Sequence, residues 1–180
     1  NDAKWKNQDS FQRHLFRKIG LEFRSESYCI YRDKKINPES KLVGIETRSG
    51  SRWPNKAWSG YPALISKLEA AGYSCRLLSE RKNIGEYLDD IARCSLLVSG
   101  DTLAMHVALT NKIPSIPIFN CTSPAEIHDY DLMKKVVSPL LQQSFYSQEY
   151  SPEVVNSISA EMVYNVFRDH IRFTGQYQKV

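Results

Sequence analysis

The stretch Leu96-Leu97-Val98-Ser99-Gly100-Asp101-Thr102-Leu103-Ala104-Met105-His106 decides how this chain is read. A short apolar run stops at a glycine, and helix-forming residues follow at once. That is the strand-to-helix junction of a parallel sheet, and such junctions lie at the carboxyl edge where ligands bind. Gly100 allows a sharp turn and a close approach of backbone to ligand. The free amides of Thr102 to Ala104 would face outward at the positive end of the helix dipole, a setting suited to phosphate. His106 follows Thr102 by four residues, which puts both on one helix face. The same residues also fit a purely structural role, with Asp101 as an N-cap and His106 as a satisfied helix residue.

Strand-length apolar runs alternate with helical patterns on both sides of this junction, from about Lys41 to Val137. This order predicts a doubly wound, Rossmann-like α/β domain with a parallel sheet covered on both faces. Leu42 to Thr47 reads as the first strand. A helix follows, with Pro62 in its first turn, Leu64, Ile65, Leu68 and Ala71 at helical spacing, and Gly72 as its terminator. Tyr73 to Leu78 is the second strand, Ile84 to Arg93 a helix, Ser95 to Ser99 the third strand and Thr102 to Thr110 the next helix. Ile113 to Phe119 is the fourth strand, although Pro114 and Pro117 each remove a ladder donor. Lys134 to Val137 is a short fifth strand.

The ends stand outside this repeat. Ser10 to Gly20 is an amphipathic helix with a stripe of Phe11, Leu15, Phe16 and Ile19, and Ser159 to Phe173 is another with Met162, Val163, Val166 and Phe167. Gln142 to Pro152 is polar and aromatic and reads as a surface linker. The chain thus divides into residues 1–40 (a helix and linker-like segment), 41–140 (the α/β core) and 141–180 (a linker and the last helix). Its 180 residues suffice for one domain of this class.

With 42% hydrophobic and 24% charged residues the composition is that of a soluble globular protein. No apolar run approaches the roughly 18 residues of a membrane span, and Asn1 to Lys4 lacks a signal-peptide stretch. The net charge of +4 is dispersed, which favours a small anionic ligand over nucleic acid. Cys29, Cys75, Cys94 and Cys121 are isolated and read as reduced thiols of a cytoplasmic protein. His14, His128 and His170 have no partners at metal-ligand spacing, so no metal site is expected. A nucleophile elbow, a Walker loop and a G-x-G-x-x-G turn are all missing from the sequence.

Other loops should share the edge with Gly100. Glu46 to Trp53, closing the first strand, carries hydroxyls, a glycine and two guanidinium groups, and arginine grips phosphate bidentately. This loop should face the Gly100 turn across one crevice, unless it is only a solvated basic turn. Ser79-Glu80-Arg81 closes the second strand, where an acidic residue commonly accepts from ribose hydroxyls. Asn120 to Glu126 leaves the fourth strand on the same side, with Ser123 placed to cap a short helix.

Several of these segments resemble glycosyltransferase family 9, the heptosyltransferase-like enzymes of the two-domain GT-B fold. Ser51-Arg52-Trp53-Pro54 is similar to the family's Lys-Arg-Trp-Pro. Val98 to His106 is similar to its Ser-x-Asp-Thr-Gly-x-x-His. Ile116-Pro117-Ile118-Phe119 followed by Thr122-Ser123-Pro124 resembles the next strand and loop, and this accounts for the proline-bearing strand. The similarity runs from about Lys41 to Pro139, with a weaker echo in Asn156 to His170.

The resemblance implies the donor-binding half of a bacterial glycosyltransferase, with Thr47, Arg48, Asp101, Thr102 and His106 around a nucleotide-diphosphate sugar. The wider donor-binding set is Thr47, Arg48, Ser51, Arg52, Glu80, Gly100, Asp101, Thr102, Leu103 and His106. It implies an ADP-linked donor with no further cofactor, and a saccharide acceptor of the lipopolysaccharide core. The partner would be an N-terminal domain carrying the acceptor site and the catalytic carboxylate. The setting is the cytoplasm, at the inner face of the membrane. Ser51 in place of lysine and Leu103 in place of glycine depart from the family pattern. A non-catalytic module on the same scaffold and a nucleotide-sugar epimerase-like domain are the alternatives. At least one apolar stripe of the terminal helices should either fold onto the sheet or stay exposed where a partner domain docks, and an isolated domain would tend to self-associate through that surface.

Overall fold

The computed structural model describes residues 5–31 and 35–177, with side chains through residue 171. An N-terminal helix α1 (Phe11–Lys18) precedes an alternating series: β1 (Leu42–Glu46), α2 (Tyr61–Ala70), β2 (Ser74–Leu77), α3 (Ile84–Ala92), β3 (Leu96–Gly100), α4 (Leu103–Thr110), β4 (Ser115–Phe119) and β5 (Val136–Val137). Two single turns, α5 (Leu141–Ser144) and α6 (Pro152–Val155), lead to the long helix α7 (Ala160–Tyr177). Short 3₁₀ turns cover Pro54–Lys56 and Pro124–Glu126.

All five strands are parallel, in the order β2-β1-β3-β4-β5. The winding reverses between β1 and β3, where Val43 pairs with Leu96 and Glu46 with Ser99. The expected Rossmann-like α/β fold is thus present, and its switch point lies between the first-strand loop and the Gly100 turn.

Side-chain alternation distributes the core. Val43, Ile45, Leu96, Val98, Ile116 and Ile118 face one side, together with Leu64 and Leu68 of α2 and Val163 and Phe167 of α7. Leu97 points to the other face, with Tyr87 and Ile91 of α3 and Ala104, Val107 and Ala108 of α4. Gly44 also turns to that face, where a Cβ would stand 2.7 Å from Cys94 Sγ, so β1 accepts no side chain there. Gly72 ends α2 at φ +83°, as its place in the sequence predicts.

Pro117 sits in the centre of β4 because its missing N–H faces the weak side of the sheet. Ser115 and Phe119, two residues to either side, bond toward the β5 segment: Ser115 N–H donates to the Leu132 carbonyl at 2.8 Å, and the Phe119 carbonyl accepts from Ser138 N–H at 2.9 Å. By the alternation of a parallel strand, Pro117 points the same way. β5 pairs with β4 over two residues only.

The terminal helices behave differently. Val163 and Phe167 of α7 are fully buried, worth about 1.5 to 3 kcal/mol each. Phe11, Leu15 and Ile19 of α1 remain exposed. The segment predicted as a surface linker is partly interior: Leu141, Ser144 and Phe145 are buried, and the Ser144 hydroxyl donates to the Asn120 carbonyl at 2.6 Å.

Candidate functional site

The loops that leave β1, β2 and β3 enclose a cleft of about 640 Å³ at the carboxyl edge. Arg48, Ser49 and Gly50 form one wall and Glu80 to Ile84 another, with Thr102 and Leu103 at the start of α4. Glu46 and Tyr87 lie at its base. Arg48, Arg81 and Lys82 bring positive charge to it, with Glu46 and Glu80 also in its lining and Arg81 paired with Asp90.

Arg48 is held in place. Its Nε and Nη2 donate to the two carboxylate oxygens of Glu46 at 2.9 and 2.7 Å, and its main-chain N–H donates to Oε1 at 2.9 Å. The Tyr87 hydroxyl donates to Glu46 Oε2 at 2.6 Å, and the guanidinium carbon lies 5.5 Å from the Tyr87 ring centroid. Burial alone would raise the Glu46 pKa, but the bonds from Arg48 and Tyr87 outweigh it and hold the carboxyl below its ordinary range. The guanidinium is correspondingly held above its ordinary range.

Thr102 is the N-cap residue of α4, yet its side chain makes no capping bond. Among the described residues its Oγ1 is buried without a hydrogen-bond partner. Leu103 is more than half exposed at the first helical position.

Asp101 and His106 lie in a neighbouring pocket of about 400 Å³, shared with Phe11, Gln12 and Leu15 of α1, Tyr28, Glu126 and Ile127. Lys56 Nζ binds both the carboxylate and the main-chain carbonyl of Asp101. Burial pushes the His106 pKa down, with the Asp101 charge acting against it.

The sequence-predicted residues therefore divide. Arg48, Glu80, Thr102 and Leu103 line the cleft, Asp101 and His106 the adjoining pocket, and the Asp101–Leu103 turn separates the two. Gly100 is buried behind that turn. Thr47 faces elsewhere, into an apolar depression with Trp58, Tyr61 and Leu77. Ser51 and Arg52 line neither space, and Arg52 lies over the Trp53 ring at 5.2 Å. Sequence reasoning missed Lys56, Tyr87, Gln12 and Tyr28, whose roles come from contacts across 16 to 78 residues of chain.

Residues 75–153 match the family model of glycosyltransferase family 9 (heptosyltransferase). That segment, less than half of the chain, is similar to this family. It contains β3, the Gly100 turn, α4 and β4, whereas the Ser51-Arg52-Trp53-Pro54 stretch of the resemblance lies outside it. No curated protein matches the chain in sequence.

Solved structures carry the fold further. The iron-containing dodecameric glycosyltransferase TibC from enterotoxigenic E. coli H10407 superposes with a TM-score of 0.65 at 13% identity, over 87% of this chain and 51% of its own. TibC described as a heptosyltransferase in complex with ADP-D-β-D-heptose gives 0.58 at 14%, over 84% and 48%. E. coli ADP-heptose lipopolysaccharide heptosyltransferase II gives 0.58 at 17%, over 92% and 52%. This chain thus spans about half the length of these structures. Although TibC is described as iron-containing, no three His, Cys, Asp or Glu among the described residues here come together to hold a metal. No helix among them is long and apolar enough to cross a membrane.

Proposed function

We propose that this domain binds the donor of a sugar-transfer reaction, a nucleotide-diphosphate sugar with a heptose-like sugar, for transfer to a saccharide acceptor such as a lipopolysaccharide core. The observation that carries the proposal is the meeting of Arg48 and the N-terminus of α4 across the switch-point cleft. The diphosphate would lie against the α4 amides and the unpartnered Thr102 hydroxyl, with Arg48, Arg81 and Lys82 supplying positive charge. The ribose would reach Glu80. The sugar would cross the Asp101–Leu103 turn into the pocket of Asp101 and His106.

In this reading displacement occurs at the anomeric carbon, and charge builds on the departing nucleotide diphosphate. Arg48 and the α4 amides offset that charge, and they are already oriented when the reaction begins. The acceptor and the base that takes its proton belong to an N-terminal acceptor-binding domain. An ADP-linked donor and a cytoplasmic setting at the inner membrane face follow from the same reading, supported by the ADP-heptose complex of TibC.

Calorimetric titration with ADP-, GDP- and UDP-sugars tests the proposal. Binding of one class above the others supports it, and no measurable binding of any removes it. A non-catalytic module is the second reading, favoured by Leu103 standing at the first turn of α4. Thr102→Val that leaves ligand binding untouched would favour that reading.

A further inference from the structure

Tyr28 belongs to none of the elements that build the cleft, yet it reaches the site from the N-terminal segment. Its hydroxyl lies 3.3 Å from His106 Nδ1, across 78 residues of sequence, and the two rings meet edge to face with centroids 5.8 Å apart. The other side of the hydroxyl is occupied, because Gln12 Nε2 of α1 donates to Tyr28 Oη. Tyr130 packs against the same ring at 5.7 Å. Tyr28 is half-buried, and burial pushes its pKa up, so the phenol keeps its proton.

A phenol that accepts from an amide has one proton left to give. Given to His106 Nδ1, that proton makes Nδ1 an acceptor and places the imidazole proton on Nε2. The other groups near the ring are consistent with a neutral imidazole: Asp101 would favour the cation, but its carboxylate is engaged by Lys56, whose own charge opposes it. Glu126, the remaining carboxylate of the pocket, is engaged by the Tyr146 hydroxyl.

We propose that Tyr28, anchored by Gln12, is a positioning residue that fixes His106 as a neutral Nε2–H donor toward the sugar-side pocket. The N-terminal segment thereby completes a site otherwise built by the sheet. A hydroxyl or ring oxygen of a bound sugar is the acceptor this donor suits. The functional half of the inference rests on the donor-site reading above; the hydrogen-bond relay does not.

The test is nitrogen-15 NMR of the full 180-residue chain, in which His106 is one of four histidines. The neutral wild-type ring should show its proton on Nε2 and a hydrogen-bonded Nδ1. In Tyr28→Phe the Nδ1 resonance should move downfield as that bond is lost, with unchanged far-UV circular dichroism. A proton on Nδ1 in the wild type, or an Nδ1 resonance indifferent to Tyr28→Phe, overturns the relay. If Tyr28→Phe does not fold, Gln12→Ala keeps the ring in place and carries the same readout with a smaller shift. Binding then decides the functional half. Tyr28→Phe should weaken an ADP-sugar about three- to tenfold while leaving ADP alone unchanged, the effect of one weakened polar contact. Equal losses for both ligands would reduce Tyr28 to a structural residue. If the wild type binds neither, the donor-site reading falls while the tautomer result still decides the relay.

Discussion

Lys56 Nζ lies 2.9 Å from Asp101 Oδ2 and 2.8 Å from the Asp101 main-chain carbonyl, with both side chains only 17% exposed. The lysine thus fastens the turn between β3 and α4 by both of its oxygens. Lys56→Met removes the cation and leaves a carboxylate three-quarters or more enclosed. The expected cost is about 3 kcal/mol, the low end for breaking a buried pair. Urea denaturation measures it, and nucleotide-sugar affinity should fall in parallel because the Asp101–Leu103 turn loosens. A loss below about 0.5 kcal/mol, the scale of an exposed pair, would show that the clamp is solvated in solution.

How much of this was legible in the sequence follows from where the physics is local. The strand of Leu96 to Gly100 is enclosed by β1 and β4 and by helices on both faces, so its body must be apolar without alternation, and Leu96-Leu97-Val98 carries that signal. Gly72 and Pro62 mark turns by their own backbone limits. Lys56 gave no such signal: it sits in a 3₁₀ turn 45 residues from Asp101, and only the pairing of β1 with β3 brings the two together. Thr47 was misleading for a related reason. At a strand end successive side chains leave on opposite faces, so Glu46 and Arg48 enter the cleft and Thr47 turns to Trp58 and Tyr61. Leu141 and Phe145 in a polar stretch are buried by contacts that no periodicity announces.

Glu46 should make stability pH-dependent at the acid end. Its folded pKa lies below the unfolded value, so its contribution is complete above that value, about 4.3, and is lost as pH falls through the folded one. Glu46→Gln should cost about 1 to 2 kcal/mol at pH 7, discounted because Arg48 is partly exposed. The difference between variant and wild type should shrink as pH falls below the unfolded value. A constant difference across pH would assign the cost to packing instead.

Leu103 covers the first turn of α4 where a phosphate would approach. Leu103→Gly exposes those amides and lowers stability by about 0.5 to 1 kcal/mol, the usual backbone cost of glycine in a helix. Affinity for ADP should rise severalfold in the same variant. A fall in affinity would mean that the leucine side chain itself contacts the ligand.

His170 is 1% exposed on α7, and burial first, then the nearby Lys134, lowers its pKa against a bond with the Leu132 backbone. Its folded pKa is therefore below the unfolded value near 6.5. Stability should be complete above that pH, decline as pH falls below it because the unfolded chain binds the proton more readily, and level off below the folded value. His106 acts in the same direction. Melting temperature followed from pH 7.5 to 5 should fall in the wild type and fall less in His170→Gln. Identical slopes would exclude His170 as a source.

The exposed stripe of α1 offers the last prediction. Phe11, Leu15 and Ile19 are 59%, 46% and 69% exposed, and Leu21 beyond the helix is 58% exposed, whereas Val163 and Phe167 of α7 are buried on the sheet and only Met162 of that stripe stays exposed. Two copies meeting through this stripe cover eight such side chains, worth roughly 1 kcal/mol each, since each is already partly shielded. Association costs about 4 to 15 kcal/mol, so at best a weak surplus of roughly 4 kcal/mol is left, a millimolar affinity. The chain should accordingly be monomeric at micromolar concentration and self-associate toward the millimolar range, with an affinity that falls in the cold as apolar attraction does. Sedimentation equilibrium measures this. Leu15→Glu, which puts a charge in the middle of the stripe without touching the sheet, should abolish association and leave the melting temperature within about a degree. Undiminished association in Leu15→Glu would place the contact on another surface, and a monomer throughout would mean that this stripe binds nothing of its own kind.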